Sequence, residues 1–306
     1  MQVLRWVGRG LLACLALGAL ALGGVYARSE WMLRQRVTLP PAWKGEVTRD
    51  SATVARGEHL ARSWLGCVVC HGENLGGRLE GDVPWVLRLA GPNLTTGARG
   101  VLSRYSDAAL EAAIRHGVGV DGRKLFIMPS YAYAHLADDD LAALIAYIRT
   151  RPAVDGDAGA SGVRPLGRVL MVTGAFKPFA YDKLDHTSVA PAVAPHGITR
   201  EHGEYVSVVC KACHGATLTG GKPSPGAEPG DPVPPNLTIA GLGGWSEADF
   251  VRLLRTGVRP DGRAIRATAM PWPVLGRMSD EELGALWTYL RSLGTTGAPV
   301  TSPAAR

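Results

Sequence analysis

Apolar positions along the 306-residue chain fall into two distinct patterns. Near the N-terminus no charged residue interrupts the run from Gly10 to Ala27, which is preceded by Arg5 and Arg9 and followed by Arg28. Eighteen helical residues rise about 27 Å, close to the hydrocarbon thickness of a bilayer. The run therefore predicts a transmembrane anchor over residues 10–27, with 1–9 on the cytoplasmic side and 28–51 as a juxtamembrane linker. Trp31, Arg34 and Arg36 fit an interfacial collar beyond it. A secretory signal cleaved after Val25-Tyr26-Ala27 is the alternative.

The second pattern has helical period and occurs twice. Leu141, Leu144, Ile145 and Ile148 fall at i, i+3, i+4 and i+7, and so do Leu283, Leu286, Trp287 and Leu290. Ser279-Asp280-Glu281-Glu282 has the form of a capping box that starts the second of these helices. Further helices are predicted from Ser106 to His116 and from Ser246 to Thr256, stopped by Gly117 and Gly257. Between the helices Gly, Pro, Asn and Thr are dense, which predicts loops. Residues 152–199 read as a linker rich in Pro, Gly and Ala at both ends, around a more apolar run from Leu166 to Tyr181.

The paired helices belong to an internal repeat. An offset of 143 carries His71 onto His214 and Asn93 onto Asn236, within Gly91-Pro92-Asn93-Leu94-Thr95 and Pro234-Pro235-Asn236-Leu237-Thr238. An offset of 140 aligns Asp121-Gly122-Arg123 with Asp261-Gly262-Arg263, and 142 aligns Met128-Pro129 with Met270-Pro271. Small changes of offset are what loop insertions produce. The chain holds two homologous domains.

Each repeat carries one Cys-x-x-Cys-His: Cys67-Val68-Val69-Cys70-His71 and Cys210-Lys211-Ala212-Cys213-His214. This is the attachment signature of c-type haem. Each thiol adds across one porphyrin vinyl group, two intervening residues set the sulfurs one helical turn apart, and the histidine is placed to ligate iron. Zinc is the competing reading, but it needs four ligands in tetrahedral array. A thioredoxin-like dithiol would sit in a βαβ pattern that the sequence lacks. Two similar, widely separated pairs suit one centre per pair.

With these residues in view, each repeat resembles a class I cytochrome c domain, over about residues 52–151 and 200–293. The whole resembles membrane-associated dihaem bacterial c-type cytochromes. The resemblance implies an all-α fold of two tandem haem domains after the N-terminal helix, with residues 294–306 as a tail. It implies two covalent c-type haems, held by Cys67 and Cys70 and by Cys210 and Cys213. The motif histidines His71 and His214 become proximal ligands, and Met128 and Met270 match the distal methionine, commonly before proline. A neutral, soft thioether favours ferrous iron and raises the potential. Gly57 and Gly203 match the glycine that lets the first helix cross the last, against the aromatics Tyr147 and Tyr289. In the family a proline carbonyl near Pro92 and Pro235 accepts the proximal histidine's Nδ1–H; a plain turn proline is the equal alternative.

Rival ligands lack repeat partners. Met278 aligns with Leu136, which cannot ligate iron, and Met171 has no counterpart. His59, His116 and His135 are unmatched and read as surface or structural residues, as do His186 and His196 in the linker. Cys14 lies inside the apolar run and reads as an inert thiol, and haem attachment consumes the other four cysteines.

The net charge of +6 raises the question of nucleic acid, but no basic run or aromatic-interleaved stripe supports it. Scattered positive charge suits steering toward an acidic redox partner or anionic lipid. The expected function is single-electron transfer between membrane or periplasmic redox partners: a quinol-oxidising complex, a dehydrogenase or a terminal oxidase. The haem domains are expected on the periplasmic side, where bacterial c-type haem attachment takes place. The alternatives are the cytochrome subunit of a membrane dehydrogenase complex and, with less support, a dihaem peroxidase.

Overall fold

The computed structural model describes residues 2–38, 43–221 and 232–297. Most of the expected tail at 294–306, and positions 39–42 of the juxtamembrane stretch, lie outside the described residues. In chain order the helices are α1 (Gln2–Arg34), α2 (Ser51–Arg62) and α3 (Cys67–His71). Strands β1 (Arg78–Val83) and β2 (Leu87–Gly91) follow, then α4 (Asp107–His116) and α5 (Asp138–Thr150). Next come β3 (Gly162–Val163), α6 (Pro165–Val172), α7 (Arg200–Val206) and α8 (Val208–His214). The chain closes with α9 (Ile239–Leu242), α10 (Glu247–Thr256), α11 (Trp272–Leu275) and α12 (Asp280–Ser292). The molecule is mainly helical, as the periodicity predicts.

The chain divides into two compact units, one drawn from Met1–Lys44, Gly76–Tyr131 and Ala153–Thr187, the other from Gly45–Leu75, Ala132–Pro152 and Ser188–Arg306. In the first, α1 outruns the uncharged stretch at both ends, and its apolar window is wholly exposed. It is long and apolar enough to cross a membrane. Its C-terminal end packs on α6, where Arg168 donates to Ser29 Oγ at 2.8 Å and to Glu30 at 3.0 Å and lies over the Tyr26 ring. Helix α4 starts on Ser106, whose Oγ accepts from the Ala109 N–H at 3.1 Å, and ends on Gly117 at φ 65°. A left-handed stop of this kind favours glycine.

The same unit holds a three-stranded sheet in the order β1-β2-β3, both pairings antiparallel, with a bulge between Leu79 and Gly81. The sequence reading expected loops here. Polar and apolar residues alternate along Arg78-Leu79-Glu80-Gly81-Asp82-Val83, which is a strand period. Six residues of it beside Gly- and Pro-rich flanks were too short to stand out.

In the second unit, α2 packs on α5 and α7 on α12. Each pair crosses at a glycine. A Cβ built on Gly57 would fall inside the Ala143 carbonyl and against Tyr147, and one on Gly203 would do the same to Ala285 and Tyr289. Most of the predicted stripes line the core: Leu141, Leu144, Ile145 and Ile148 are buried, as are Leu283, Leu286 and Leu290, while Trp287 is half-buried beside Phe250. The capping box at Ser279 and Glu282 is present.

Glu282 also anchors a polar cluster joining these helices. Its carboxylate accepts from Arg56 at 3.2 Å and Trp64 Nε1 at 3.3 Å, lies 2.7 Å from His59 Nε2, and receives the Ser279 N–H at 2.9 Å. Asp140 accepts a two-pronged contact from Arg56 at 2.8 and 3.0 Å and the Tyr205 hydroxyl at 2.9 Å. Both carboxylates are almost fully buried, so each needs partners of this kind to stay charged.

Candidate functional site

The second motif lies on α8, which follows α7 after Ser207. Cys210 and Cys213 are half-buried and three residues apart on the helix, hence on one face. His214 is buried. Beyond it the backbone reverses through Gly215 at φ 81° and Leu218 at φ 59°. The Leu218 N–H bonds to the Gly215 carbonyl, the Gly221 N–H to Pro234 O at 3.1 Å, and the Leu237 N–H to Leu218 O at 2.8 Å. These bonds lay the Pro234–Leu237 segment beside the histidine, and Pro235 O lies 2.8 Å from His214 Nδ1. Of the two readings open for Pro235, the structure shows the acceptor. Burial lowers the His214 pKa, against the opposing effect of the Pro235 carbonyl. The neutral ring then donates through Nδ1–H, and its Nε2 keeps a lone pair available to a metal.

In the first motif, α3 starts on Gly66 at φ 62° and stops at Gly72, whose N–H bonds to Val68 O at 3.0 Å. His71 is buried, while Cys67 and Cys70 are half-buried. The Tyr133 hydroxyl donates to Leu65 O at 2.8 Å, pinning the segment that leads into α3. Leu75 repeats the left-handed φ of Leu218, at 58°.

The thiols do not have the environment of a reactive dithiol. Burial, then the neighbouring cysteine, pushes Cys67 and Cys210 up to about 12. A reactive dithiol needs the opposite shift, toward thiolate. Among the described residues no three His, Cys, Asp or Glu side chains group as a metal site. The two-sulfur, one-imidazole set on a single short helix is the donor set that c-type haem requires.

The two methionines leave loops of the same construction. Leu125 N–H bonds to Gly117 O at 2.7 Å, and Ile265 N–H to Gly257 O at 2.8 Å. The Asp-Gly-Arg turns match, with Gly122 at φ 77° and Gly262 at φ 82°. The Met128 carbonyl accepts from Ser130 N–H at 2.9 Å, and the Met270 carbonyl from Trp272 N–H at 2.7 Å. Both methionines are half-buried, whereas Met278 and Met171 are core residues, 1% and 2% exposed. Cys210, Cys213, His214 and Met270 all belong to the second unit. Cys67, Cys70 and His71 belong to that unit too, while Met128 belongs to the first.

The histidines read as structural have definite surroundings. His59 serves Glu282, and His116 Nδ1 lies 3.0 Å from His186 Nδ1, with Tyr181 stacked on His186. His135, with Trp64, Tyr205 and Lys211, lines a cleft of about 340 Å³. Burial and then the charge of Lys211 lower its pKa.

Comparison with known proteins agrees with this geometry. The family model described as cytochrome c matches residues 54–152 and 203–294. The chain is 31% identical over 273 residues to the cytochrome c subunit of a quinone-dependent alcohol dehydrogenase from Gluconacetobacter polyoxogenes, covering 80% of this chain and 56% of that one. It is 28% identical to the fructose dehydrogenase cytochrome subunit of Gluconobacter japonicus, over 79% of this chain and 52% of the relative. A gluconate 2-dehydrogenase cytochrome c subunit from Pantoea cypripedii is 29% identical over 82% of this chain and 62% of its own. The chain thus spans little more than half the length of these relatives.

Proposed function

The chain belongs to the cytochrome c family, and from that premise we propose that it is the electron-carrying cytochrome subunit of a membrane-bound dehydrogenase complex. The observation that carries this reading is similarity across about four-fifths of the chain to several such subunits. It is favoured over the free-standing carrier that the sequence alone suggested. The electron donor is then a catalytic dehydrogenase subunit, and the acceptor is a further membrane component such as a quinone-linked complex or terminal oxidase.

In the loaded protein Cys67 and Cys70 hold one c-type haem and Cys210 and Cys213 the other. His71 with Met128, and His214 with Met270, would supply the protein ligands to the two irons. Bound haem supplies a one-electron iron couple. The chain's residues tune and hold that couple. Pro235 fixes the His214 ring and makes it a stronger donor. The methionine thioethers favour the reduced state. The Arg56–Asp140–Glu282 cluster ties α2 and α5 of the first repeat to α12 of the second, so these three helices have little freedom to reorganise. Helix α1 is retained as an anchor, and the haem-bearing body lies on the periplasmic side.

The test is purification from native membranes. The chain is expected to co-purify with a subunit carrying a flavin or quinone cofactor, and the substrate of that subunit should reduce both haems. A chain that leaves the membrane alone and is reduced by no dehydrogenase fraction contradicts the proposal.

A further inference from the structure

Two turns of chain in the first unit display apolar side chains that are largely exposed among the described residues. The tip of the β1–β2 hairpin is Val83-Pro84-Trp85-Val86, a four-residue turn closed by the Val86 N–H on Val83 O at 3.1 Å. Trp85 holds φ at 64°. That position of such a turn favours Gly or Asn, and a large aromatic there carries backbone strain. The strained residue is not packed inward: Trp85 is 70% exposed, and Val83 and Leu166 are each 48% exposed.

The tip is wired to the collar end of α1. The Trp85 carbonyl accepts from the N–H groups of Leu166 at 2.9 Å and Gly167 at 3.3 Å, in the first turn of α6. A Cβ on Gly167 would fall inside the Val86 carbonyl, so the hairpin and α6 touch backbone to backbone. The next residue, Arg168, reaches Tyr26, Ser29 and Glu30, on either side of Ala27 where the uncharged run ends. Trp85 and Leu166 are therefore linked, through Gly167 and Arg168, to the Tyr26–Glu30 stretch of α1 where the uncharged run ends.

The repeat supplies an independent comparison. The offset of 143 places Gly226, Ala227 and Glu228 opposite Val83, Pro84 and Trp85. The repeat joined to the anchor carries the apolar, aromatic version, and the repeat remote from it in sequence carries none. A general feature of the fold would appear in both copies.

We propose that the β1–β2 tip, with Leu166 of α6, inserts into the headgroup region of the bilayer beside α1, as a second membrane contact that fixes the tilt of the first unit. Tryptophan suits that layer, with an apolar ring and a polar N–H. The inference rests on α1 being a retained anchor. Two contacts on one rigid patch would restrict the rotation that a single helix allows.

The test uses the full-length, haem-loaded chain in nanodiscs of phosphatidylethanolamine and phosphatidylglycerol. In a Cys14→Ser background, nitroxide labels are placed one at a time through Val83→Cys, Trp85→Cys and Leu166→Cys, with Val189→Cys as a reference at a 95% exposed residue. At the three patch sites collisions with oxygen should rise, and those with a water-soluble nickel chelate should fall, corresponding to burial of about 5–10 Å in the interface. Trp85→Gly, which relieves the strained φ and keeps the turn, should move the label at Val83 back toward water. Aqueous readings at all three sites in a chain of intact mass overturn this proposal and leave the anchor standing. A chain found cut after Ala27 overturns both. Protection that appears only on adding a dehydrogenase subunit, or label–label broadening that unlabelled chain dilutes away, assigns the patch to a protein and also overturns it.

Discussion

His214 Nδ1 lies 2.8 Å from the carbonyl oxygen of Pro235, twenty-one residues later in the chain. The bond depends on a backbone path, not on a side chain: Gly215 and Leu218 reverse the chain, and the Pro234–Leu237 segment returns beside the ring. Loosening that path should weaken the bond and make the imidazole a poorer donor to iron. Pro235→Ala is expected to raise the potential of the second haem by tens of millivolts and leave the first unchanged. A haem-resolved redox titration checks it, and two unchanged potentials would count against the bond's role.

The distal ligand of the second site is decided between Met270 and Met278. Met270 is half-buried on the loop that repeats the Met128 loop, whereas Met278 is 1% exposed in the core. Met270→Ala should remove about half of the far-red ferric band and lower one potential. Met278→Ala should keep the band and cost about 2–5 kcal/mol of stability through the cavity it leaves. The reverse pattern would exchange the assignments.

Acid should act on the Glu282 cluster. Burial alone would raise its pKa, but the His59 hydrogen bond and charge, the Ser279 N–H and Arg56 together bring it from 4.5 down to about 2. A carboxylate depressed by folding stabilises the protein above its unfolded pKa. That stability is complete above about pH 4.5 and is lost as pH falls toward 2. It amounts to about 3 kcal/mol at neutral pH. Denaturant titrations of the native chain and Glu282→Gln should therefore converge as pH drops through this window. Parallel curves from pH 7 to 3 would show that the cluster is not a source of this stability.

What could be read from the sequence was whatever is local or repeated. Ser106 and Gly117 bound α4, and Ser246 and Gly257 bound α10, because caps are short-range signals that act within one turn. The Gly57 and Gly203 crossings were legible through the resemblance to class I cytochrome c domains, whose crossing glycine and facing aromatic they match. The His59–Glu282 contact was not, since its partners lie 223 residues apart and His59 has no histidine counterpart in the other repeat, although Glu282 aligns with Asp140. The strands at Arg78–Gly91 were missed although their alternation is present, because the surrounding glycines and prolines pointed to loop. Helix α6 was visible only as the apolar run from Leu166, and its packing on α1 follows from Arg168 reaching Glu30.

The two crossing glycines predict a sharp steric penalty. Gly57→Ala and Gly203→Ala each place a methyl group where the backbone carbonyl of the facing helix stands. Each should cost about 1–3 kcal/mol, or more where the helices cannot part. The measurement is thermal unfolding of the haem-loaded chain with the yield of attached haem per repeat. Normal stability in both variants would mean that the helices do not cross this closely.

The central claim is that each repeat completes a six-coordinate His/Met haem site. Its most direct test is one optical spectrum of purified full-length chain with haem quantitation, recorded alongside Met128→Ala and Met270→Ala. The account predicts two covalent haems per chain, low-spin in both oxidation states, and a far-red ferric band that each substitution halves. One haem per chain, a high-spin ferric component in the native protein, or a band indifferent to both substitutions would contradict it.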